Sequence, residues 1–201
     1  MNRTAIDKDL LLTLLKESVY KCYLYDHILI EQERMEWASV ARIFYYMQEA
    51  LKYDNRFSSL ALYNLDNEYN KKGHETKRLP NDCVYNEEER DSEQQLERGV
   101  RPDIILHNRL GTSPEDNILV LEFKTKLKNG EIEIPEDDRR KLVGFTHKQR
   151  GYNYFLGVFI RLNEDRPEYL YFQNGIETPP NKLRARHTRN ERQKSEEEVA
   201  Q

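Results

Sequence analysis

The sequence predicts an α/β (α+β) domain in which α-helices flank a central mixed β-sheet. Two observations support this fold class. Long amphipathic helical patterns fill the N-terminal part of the chain, without an internal proline or glycine. Short runs of apolar and aromatic residues follow, separated by turns and by one further helical pattern. Elements in this order build layered domains around one sheet.

The composition limits the classes of function. The chain has 201 residues, of which 34% are charged and 37% hydrophobic, and its formal net charge is −4. A protein that coats nucleic acid would usually be basic, whereas an enzyme can act through a local basic patch. We expect a single domain over residues 1–177 and a basic, disordered tail over 178–201.

No segment of the sequence predicts export or insertion into a membrane. Residues 1–9 lack the basic and apolar regions of a signal peptide, and no apolar run reaches the roughly 18 residues of a membrane span. Cys22 and Cys83 show neither metal-ligand spacing nor a disulfide framework. We therefore expect a cytoplasmic protein that makes no membrane contact.

Two helices are expected at the N-terminus, over residues 7–23 and 31–53. Asp7 or Asp9 can cap the first, because a side-chain oxygen there accepts a free backbone N–H. The second has a stripe of apolar residues at helical spacing, which predicts its buried face: Trp37, Val40, Ala41, Phe44, Met47 and Leu51.

The remaining elements alternate between strands, turns and one helix. A polar excursion over about 74–99 is expected to be mobile, with a short helix inside it as the alternative. A turn is expected at 71–73 and a helix at 136–148, after Pro135. The expected strands are 60–69, 103–107, 117–126, 152–162 and 168–172.

The strand over 117–126 ends in charged residues on one face. Side chains alternate between the faces of a strand, so Val120, Glu122 and Lys124 lie on the same side. Both faces are apolar up to Leu121, which indicates a central strand covered on both sides. A carboxylate and an ammonium group at such a position are costly unless they are paired or bound to something.

The preceding strand brings a second carboxylate to this position. If Leu106 stands opposite Leu119 in an antiparallel hairpin, Asp103 lies opposite Glu122 on the same face. Cβ atoms of opposed residues are roughly 4.5–5.5 Å apart, so the two carboxylates would repel each other. A cation such as Mg²⁺ removes the repulsion, because it takes carboxylate oxygens as ligands.

Pro102-Asp103, followed after 18 residues by Glu122-Phe123-Lys124, resembles the signature of the PD-(D/E)xK nuclease superfamily. This superfamily has the restriction-endonuclease-like fold. The segments around both motifs are similar to those of small bacterial members, in which Glu-Tyr-Asn recurs upstream, here at residues 68–70. The resemblance covers roughly residues 31–172.

The resemblance implies a Mg²⁺-dependent nuclease, an endonuclease or an exonuclease, that hydrolyses phosphodiester bonds in nucleic acid, with DNA as the expected substrate and Mn²⁺ as a substitute. Asp103 and Glu122 would bind the metal, with the main-chain carbonyl of Phe123 as a further ligand. Lys124 would orient the attacking water or stabilise the developing negative charge.

The superfamily often adds a glutamate from its first core helix, and Glu36 is our candidate. It lies in line with Val40, Ile43 and Met47, at offsets of four, seven and eleven, so its carboxylate is on an apolar face and needs a partner. Glu33 is the competing choice, one turn earlier. A surface acid is the alternative for Glu36.

Other charged residues are weaker candidates for contacts beside the site. Glu68 is suggested by the recurring tripeptide, and Lys141 could meet a phosphate; solvated surface charges explain both as well. The five histidines are scattered, and we treat His107 as structural. The aromatic residues over 152–159 are expected in the core and not as a surface for base stacking.

Several alternatives stay open. Asp103, Glu122 and Lys124 could form an ordinary salt-bridged strand end, in an unrelated surface-binding protein with a chance motif. A catalytically silent binding or regulatory module would keep the fold without turnover, although such members usually lose one of the three residues. The basic tail either binds nucleic acid by counterion release or keeps the protein soluble. A homodimer is also left open.

Overall fold

The computed structural model describes residues 6–31, 36–68, 100–109, 116–125, 134–148 and 152–183, and only the backbone at 71–72 and 75–76. The predictions made for Glu33, for Cys83, for most of the polar excursion and for the tail beyond residue 183 lie outside these residues.

Three helices form the N-terminal part of the fold: α1 (Lys8–Tyr25), α2 (His27–Glu31) and α3 (Glu36–Tyr53). Asp7 caps α1, since its Oδ1 accepts a hydrogen bond from the backbone N–H of Asp9 at 2.8 Å. The helix predicted over 31–53 corresponds to α3 from residue 36 onward, and residue 31 is the last residue of α2. None of the described helices is long and apolar enough to cross a membrane.

The strands and the last helix follow in chain order. They are β1 (Asn64–Asn67), β2 (Lys71–Lys72), β3 (Glu75–Thr76), β4 (Ile104–His107), β5 (Asn117–Thr125), α4 (Glu136–Thr146), β6 (Leu156–Leu162), β7 (Pro167–Gln173) and β8 (Ile176–Glu177). Two 3-10 turns lie at Asn55–Phe57 and Pro180–Lys182.

Six of these strands form one mixed sheet, in the order β1-β4-β5-β6-β7-β8. Only β5 and β6 run parallel, and α4 connects them, because two parallel strands need a long crossover connection. The short strands β2 and β3 pair separately. A mixed sheet flanked by helices is the fold class that the sequence predicts.

Apolar cores lie on both sides of β5. Leu119, Leu121 and Phe123 pack in one core with α1 and α3. Val120 packs in the other with Leu142 of α4. The prediction of a central strand covered on both faces is therefore confirmed.

The strand predicted over 60–69 is shorter than expected. Asp54 caps the 3-10 turn before it, accepting a hydrogen bond from the backbone N–H of Arg56 at 2.9 Å. The N–H of Leu60 then donates to the carbonyl of Phe57 at 2.9 Å, and both side chains are buried. The apolar residues here anchor a turn, so the strand starts only at Asn64.

Trp37 differs most from its prediction. It was expected in the buried stripe of its helix, but 69% of its surface is exposed. The buried residues of α3 are Ser39, Val40, Ile43, Tyr46 and Met47. Helix α3 is apolar on two sides, and the packed side is the one in line with Glu36.

The last described residues extend the packed structure beyond residue 177. Leu183 is 4% exposed, and its carbonyl accepts a hydrogen bond from Lys8 Nζ at 2.8 Å. Leu183, which we assigned to the tail, therefore packs in the core beside the start of α1, whereas residues 179–182 are exposed. The basic residues that follow lie outside the described part of the chain.

Candidate functional site

The hairpin of β4 and β5 brings Asp103 and Glu122 to the same place. Leu106 stands opposite Leu119, which confirms the predicted register, and Ile104 stands opposite Leu121. Asp103 directly precedes β4, so the same register places it opposite Glu122. The backbone N–H of Phe123 donates a hydrogen bond to Asp103 Oδ2 at 2.7 Å.

Glu122 is a buried acid with an unused oxygen. It is 2% exposed, and its Oε1 finds no hydrogen-bond partner among the described residues. Burial raises its pKa well above the ordinary value, and the charges of Asp103 and Asp138 add to this effect against the opposing charge of Lys141. A carboxyl group in this state is costly unless something binds it.

Asp103 shows the same shift to a smaller extent. Burial raises its pKa to about 6, although the hydrogen bond from the Phe123 amide and the charge of Lys124 act in the opposite direction. Its backbone is held as well, because the N–H of Glu68 donates to the Asp103 carbonyl at 2.9 Å. The acid is thus fixed in position while its ionised form is disfavoured.

Lys124 is held by acids on two sides. Its Nζ donates to Glu36 Oε1 at 3.1 Å and lies 3.8 Å from Asp138 Oδ2. Burial alone would lower the pKa of this lysine, but the charges of Asp138 and Glu36 outweigh burial and raise it. Lys124 therefore carries its positive charge at neutral pH.

Glu36 reaches the site from the first residue of α3. Its Oε2 accepts a hydrogen bond from the backbone N–H of Thr125 at 3.1 Å, while its Oε1 binds Lys124. The buried residues of α3 pack against the face of β5 that carries Leu121 and Phe123. Lys124 lies on the other face, so the Glu36 side chain reaches it past the end of the strand. The structure thus brings Glu36, Lys124 and the hairpin acids together.

Helix α4 contributes Lys141 and an acid that the sequence analysis missed. Asp138 is 4% exposed, and its Oδ1 accepts a hydrogen bond from Lys141 Nζ at 2.8 Å. Burial lowers the pKa of Lys141, but Glu122 and Asp138 raise it more. One signal could have identified Asp138: Leu142 and Phe145 follow it at offsets of four and seven, which places its carboxylate on the apolar face of α4.

The side chain of Glu68 forms an ion pair with Arg101 at 3.3 Å, and it is 47% exposed. Its backbone N–H donates a hydrogen bond to the carbonyl of Asp103. The contact that ties Glu68 to the hairpin acids is therefore a main-chain one, which holds the start of β4 in place.

A divalent cation fits the charge of this cluster. Among the described residues, no group of three or more His, Cys, Asp and Glu side chains is arranged to hold a metal ion. The predicted ligand set is smaller, two carboxylates and one main-chain carbonyl. The four carboxylates of Glu36, Asp103, Glu122 and Asp138 face two ammonium groups, so the ionised cluster lacks two positive charges. The unpartnered Oε1 of Glu122 is an oxygen that a hard cation could take.

Comparison of the chain with protein-family models, with curated proteins and with solved structures finds no match. What the site can do follows from its own geometry and charge.

Proposed function

We propose that this protein is a metal-dependent nuclease of the PD-(D/E)xK type, which hydrolyses phosphodiester bonds in nucleic acid, with DNA as the expected substrate. One observation carries the proposal. Glu122 is a buried carboxyl whose Oε1 has no hydrogen-bond partner in the described part of the chain, and it lies opposite Asp103, a second acid of raised pKa. A purely structural acid at this depth would be expected to have its hydrogen bonds satisfied.

Asp103, Glu122 and the main-chain carbonyl of Phe123 would hold Mg²⁺ or Mn²⁺, which would supply a bound water of lowered pKa and a positive charge beside the phosphate. Without the cation, burial disfavours the ionised form of both carboxyls. We therefore expect cation binding to release protons, because oxygen ligands bind in their ionised form.

Lys124 acts as a fixed positive charge in this proposal. Its raised pKa rules out a role as a general base near neutral pH, since the amine would have to be unprotonated. Its ammonium group can orient the attacking water or stabilise negative charge that develops on the phosphate. Glu36 and Asp138 hold the ammonium group in place, so its position is set before substrate binds.

The topology supports the same proposal. A glutamate at the start of a helix, an antiparallel hairpin that carries two acids, and a parallel β5–β6 pair joined by a helix suit the core of this superfamily. A cytoplasmic location is a further expectation of the proposal, and a homodimer is left open.

A cleavage assay tests the function. Wild type, Lys124→Ala, Glu122→Gln and the control Lys52→Ala, which removes an exposed lysine of α3, are each incubated with plasmid, single-stranded DNA and RNA. We expect wild type and Lys52→Ala to cleave at least one substrate only when Mg²⁺ or Mn²⁺ is present. Loss of a charge-stabilising group should reduce the rate about 10²–10³-fold in Lys124→Ala, and Glu122→Gln should be inactive.

Three outcomes would contradict the nuclease. Equal cleavage by wild type and both site variants would place the activity elsewhere. Cation binding by wild type without cleavage of any substrate would indicate the silent binding module. Absence of both binding and cleavage would indicate a chance motif.

A further inference from the structure

Trp37 is the chain neighbour of a residue of the candidate site and is open to solvent. It is the only tryptophan of the chain, and 69% of its surface is exposed. It directly follows Glu36, whose carboxylate binds Lys124, so their Cα atoms are ~3.8 Å apart. Tryptophan is highly buried on average in folded proteins, so a solvent-exposed one beside a charged cluster needs a reason.

The exposed side of α3 continues away from the site as an aromatic row. Trp37, Ala41 and Tyr45 are spaced four residues apart and share one side of the helix. Tyr45 is 42% exposed, and the guanidinium carbon of Arg42 lies 5.1 Å from the centre of its ring. The two rings are ~12 Å apart along the helix axis, with a small alanine between them.

We propose that Trp37 is a stacking platform for an unpaired nucleobase, so that the site acts on nucleic acid that is single-stranded where it is cut. This inference rests on the proposed nuclease function and names its substrate class. A nucleotide whose phosphate lies at Asp103 and Glu122 would bring its base, or that of its neighbour, to the edge of α3. The Trp37 ring offers a flat apolar surface there.

The chemistry of the ring favours unpaired bases over a duplex. Every base has a π-face, so stacking on an aromatic side chain tolerates any sequence. In a regular duplex these faces are covered by the neighbouring base pairs and are not accessible to a side chain. Tyr45, with Arg42 beside its ring, offers a second position further along the same strand.

Binding measurements on the full chain test this inference. The probes are a fluorescein-labelled oligothymidylate and a blunt duplex of the same length, in EDTA and at low salt, so that no cleavage occurs. Because Trp37 is the only tryptophan, its intrinsic fluorescence reports directly on contact with a base. Anisotropy of the labelled strand gives the affinity of each variant.

We expect the oligothymidylate to quench the tryptophan fluorescence and to bind more tightly than the duplex. Trp37→Ala should weaken binding of the single strand about 5- to 150-fold, the range expected for loss of one stacked base. Trp37→Phe, which keeps an aromatic face, should restore most of the affinity. Tyr53→Ala, which removes a 72% exposed aromatic ring at the other end of α3, should bind like wild type.

The inference is overturned if Trp37→Ala binds the single strand like wild type, or if the duplex binds as tightly and quenches as strongly. It is also overturned if sedimentation shows a wild-type dimer that Trp37→Ala dissociates while strand binding is unchanged, since a second copy would then cover the ring. If Trp37→Ala weakens strand binding but the protein cleaves no substrate, the stacking inference holds and the nuclease proposal is refuted. If cleavage depends on Lys124 but Trp37→Ala has no effect on binding, the nuclease proposal holds and the stacking inference is refuted.

Discussion

Strand β4 has one acid near one of its ends and two near the other, and the pKa values at the two ends shift in opposite directions. At one end, Asp66 of β1 lies 2.8 Å from His107 Nε2 and accepts a hydrogen bond from Arg109 Nε at 2.8 Å. Burial would raise the pKa of Asp66, but the hydrogen bonds from Arg109 and His107 outweigh it, and the pKa is lowered. At the other end, burial prevails and the pKa values of Asp103 and Glu122 are raised.

The opposite pKa shifts distinguish an acid that stabilises the fold from the acids that we propose bind a cation. Asp66 is 7% exposed, and nearby groups of the chain meet the cost of burying its charge. Glu122 is 2% exposed, and the described part of the chain leaves its Oε1 without a partner. Sites that bind or react often sacrifice stability in this way.

The largest effect on stability is expected at the paired acid. Asp66→Ala leaves His107 buried beside the guanidinium of Arg109 without the carboxylate that binds both. We expect the free energy of unfolding to fall by about 3 kcal/mol, measured by urea denaturation at pH 7. Asp66→Asn, which keeps the shape and one acceptor oxygen, should lose less. An unchanged stability in Asp66→Ala would show that this cluster does not support the fold.

The unpaired acid should give a change of the opposite sign. In EDTA at pH 8, Glu122→Gln should raise the free energy of unfolding by about 1–3 kcal/mol, because the amide needs neither a proton nor a counter-charge. The folded-state pKa of Glu122 lies above its unfolded value of 4.5, so ionisation of Glu122 lowers the stability of wild type as the pH rises above 4.5, and the variant lacks this contribution.

The pH dependence is the control for this effect. At pH 4 and below, wild-type Glu122 is protonated in the folded state and largely protonated in the unfolded state, so the two proteins should be nearly equal in stability. A Glu122→Gln variant that is less stable than wild type at pH 8 without metal would contradict the raised pKa.

The smallest effect is expected at an exposed acid. Glu17 pairs with Arg56 at 2.8 Å, and the two side chains are 44% and 57% exposed. Glu17→Gln should change the free energy of unfolding by less than about 1 kcal/mol, since solvent screens such pairs. If Glu17→Gln lowered the free energy of unfolding as much as Asp66→Ala, removal of any carboxylate would destabilise this chain. The two ends of β4 would then not differ in the way described.

Much of the hairpin could be predicted because strand alternation is a strict rule. The apolar pattern permitted a register with Leu106 opposite Leu119, which the structure has, and from that one pair the facing of Asp103 and Glu122 followed. The choice of Glu36 combined its helical spacing with the glutamate that the family resemblance implies.

The contributions of tertiary packing could not be read in the same way. Asp138 is one of three acids in the first turn of α4, and although its spacing to Leu142 and Phe145 places it on the apolar face, the sequence does not show that it contacts Lys124 and Lys141. Trp37 belongs to an apolar stripe, but α3 has two such stripes, and the choice between them depends on where α1 and the sheet lie. The strand predicted over 152–162 begins only at Leu156. Asn153 before it has a φ of 52°, which an extended strand does not adopt, and the run of aromatic residues gives no sign of this.

Titration calorimetry with Mg²⁺ and Mn²⁺ at pH 7.5 tests the central claim, that the buried acids of the hairpin hold a divalent cation. Wild type and the control Glu17→Gln should bind one cation per chain, with heats that change with the ionisation enthalpy of the buffer because protons are released. Glu122→Gln should show no binding. Absence of binding to wild type, or equal binding to Glu122→Gln, would contradict the account.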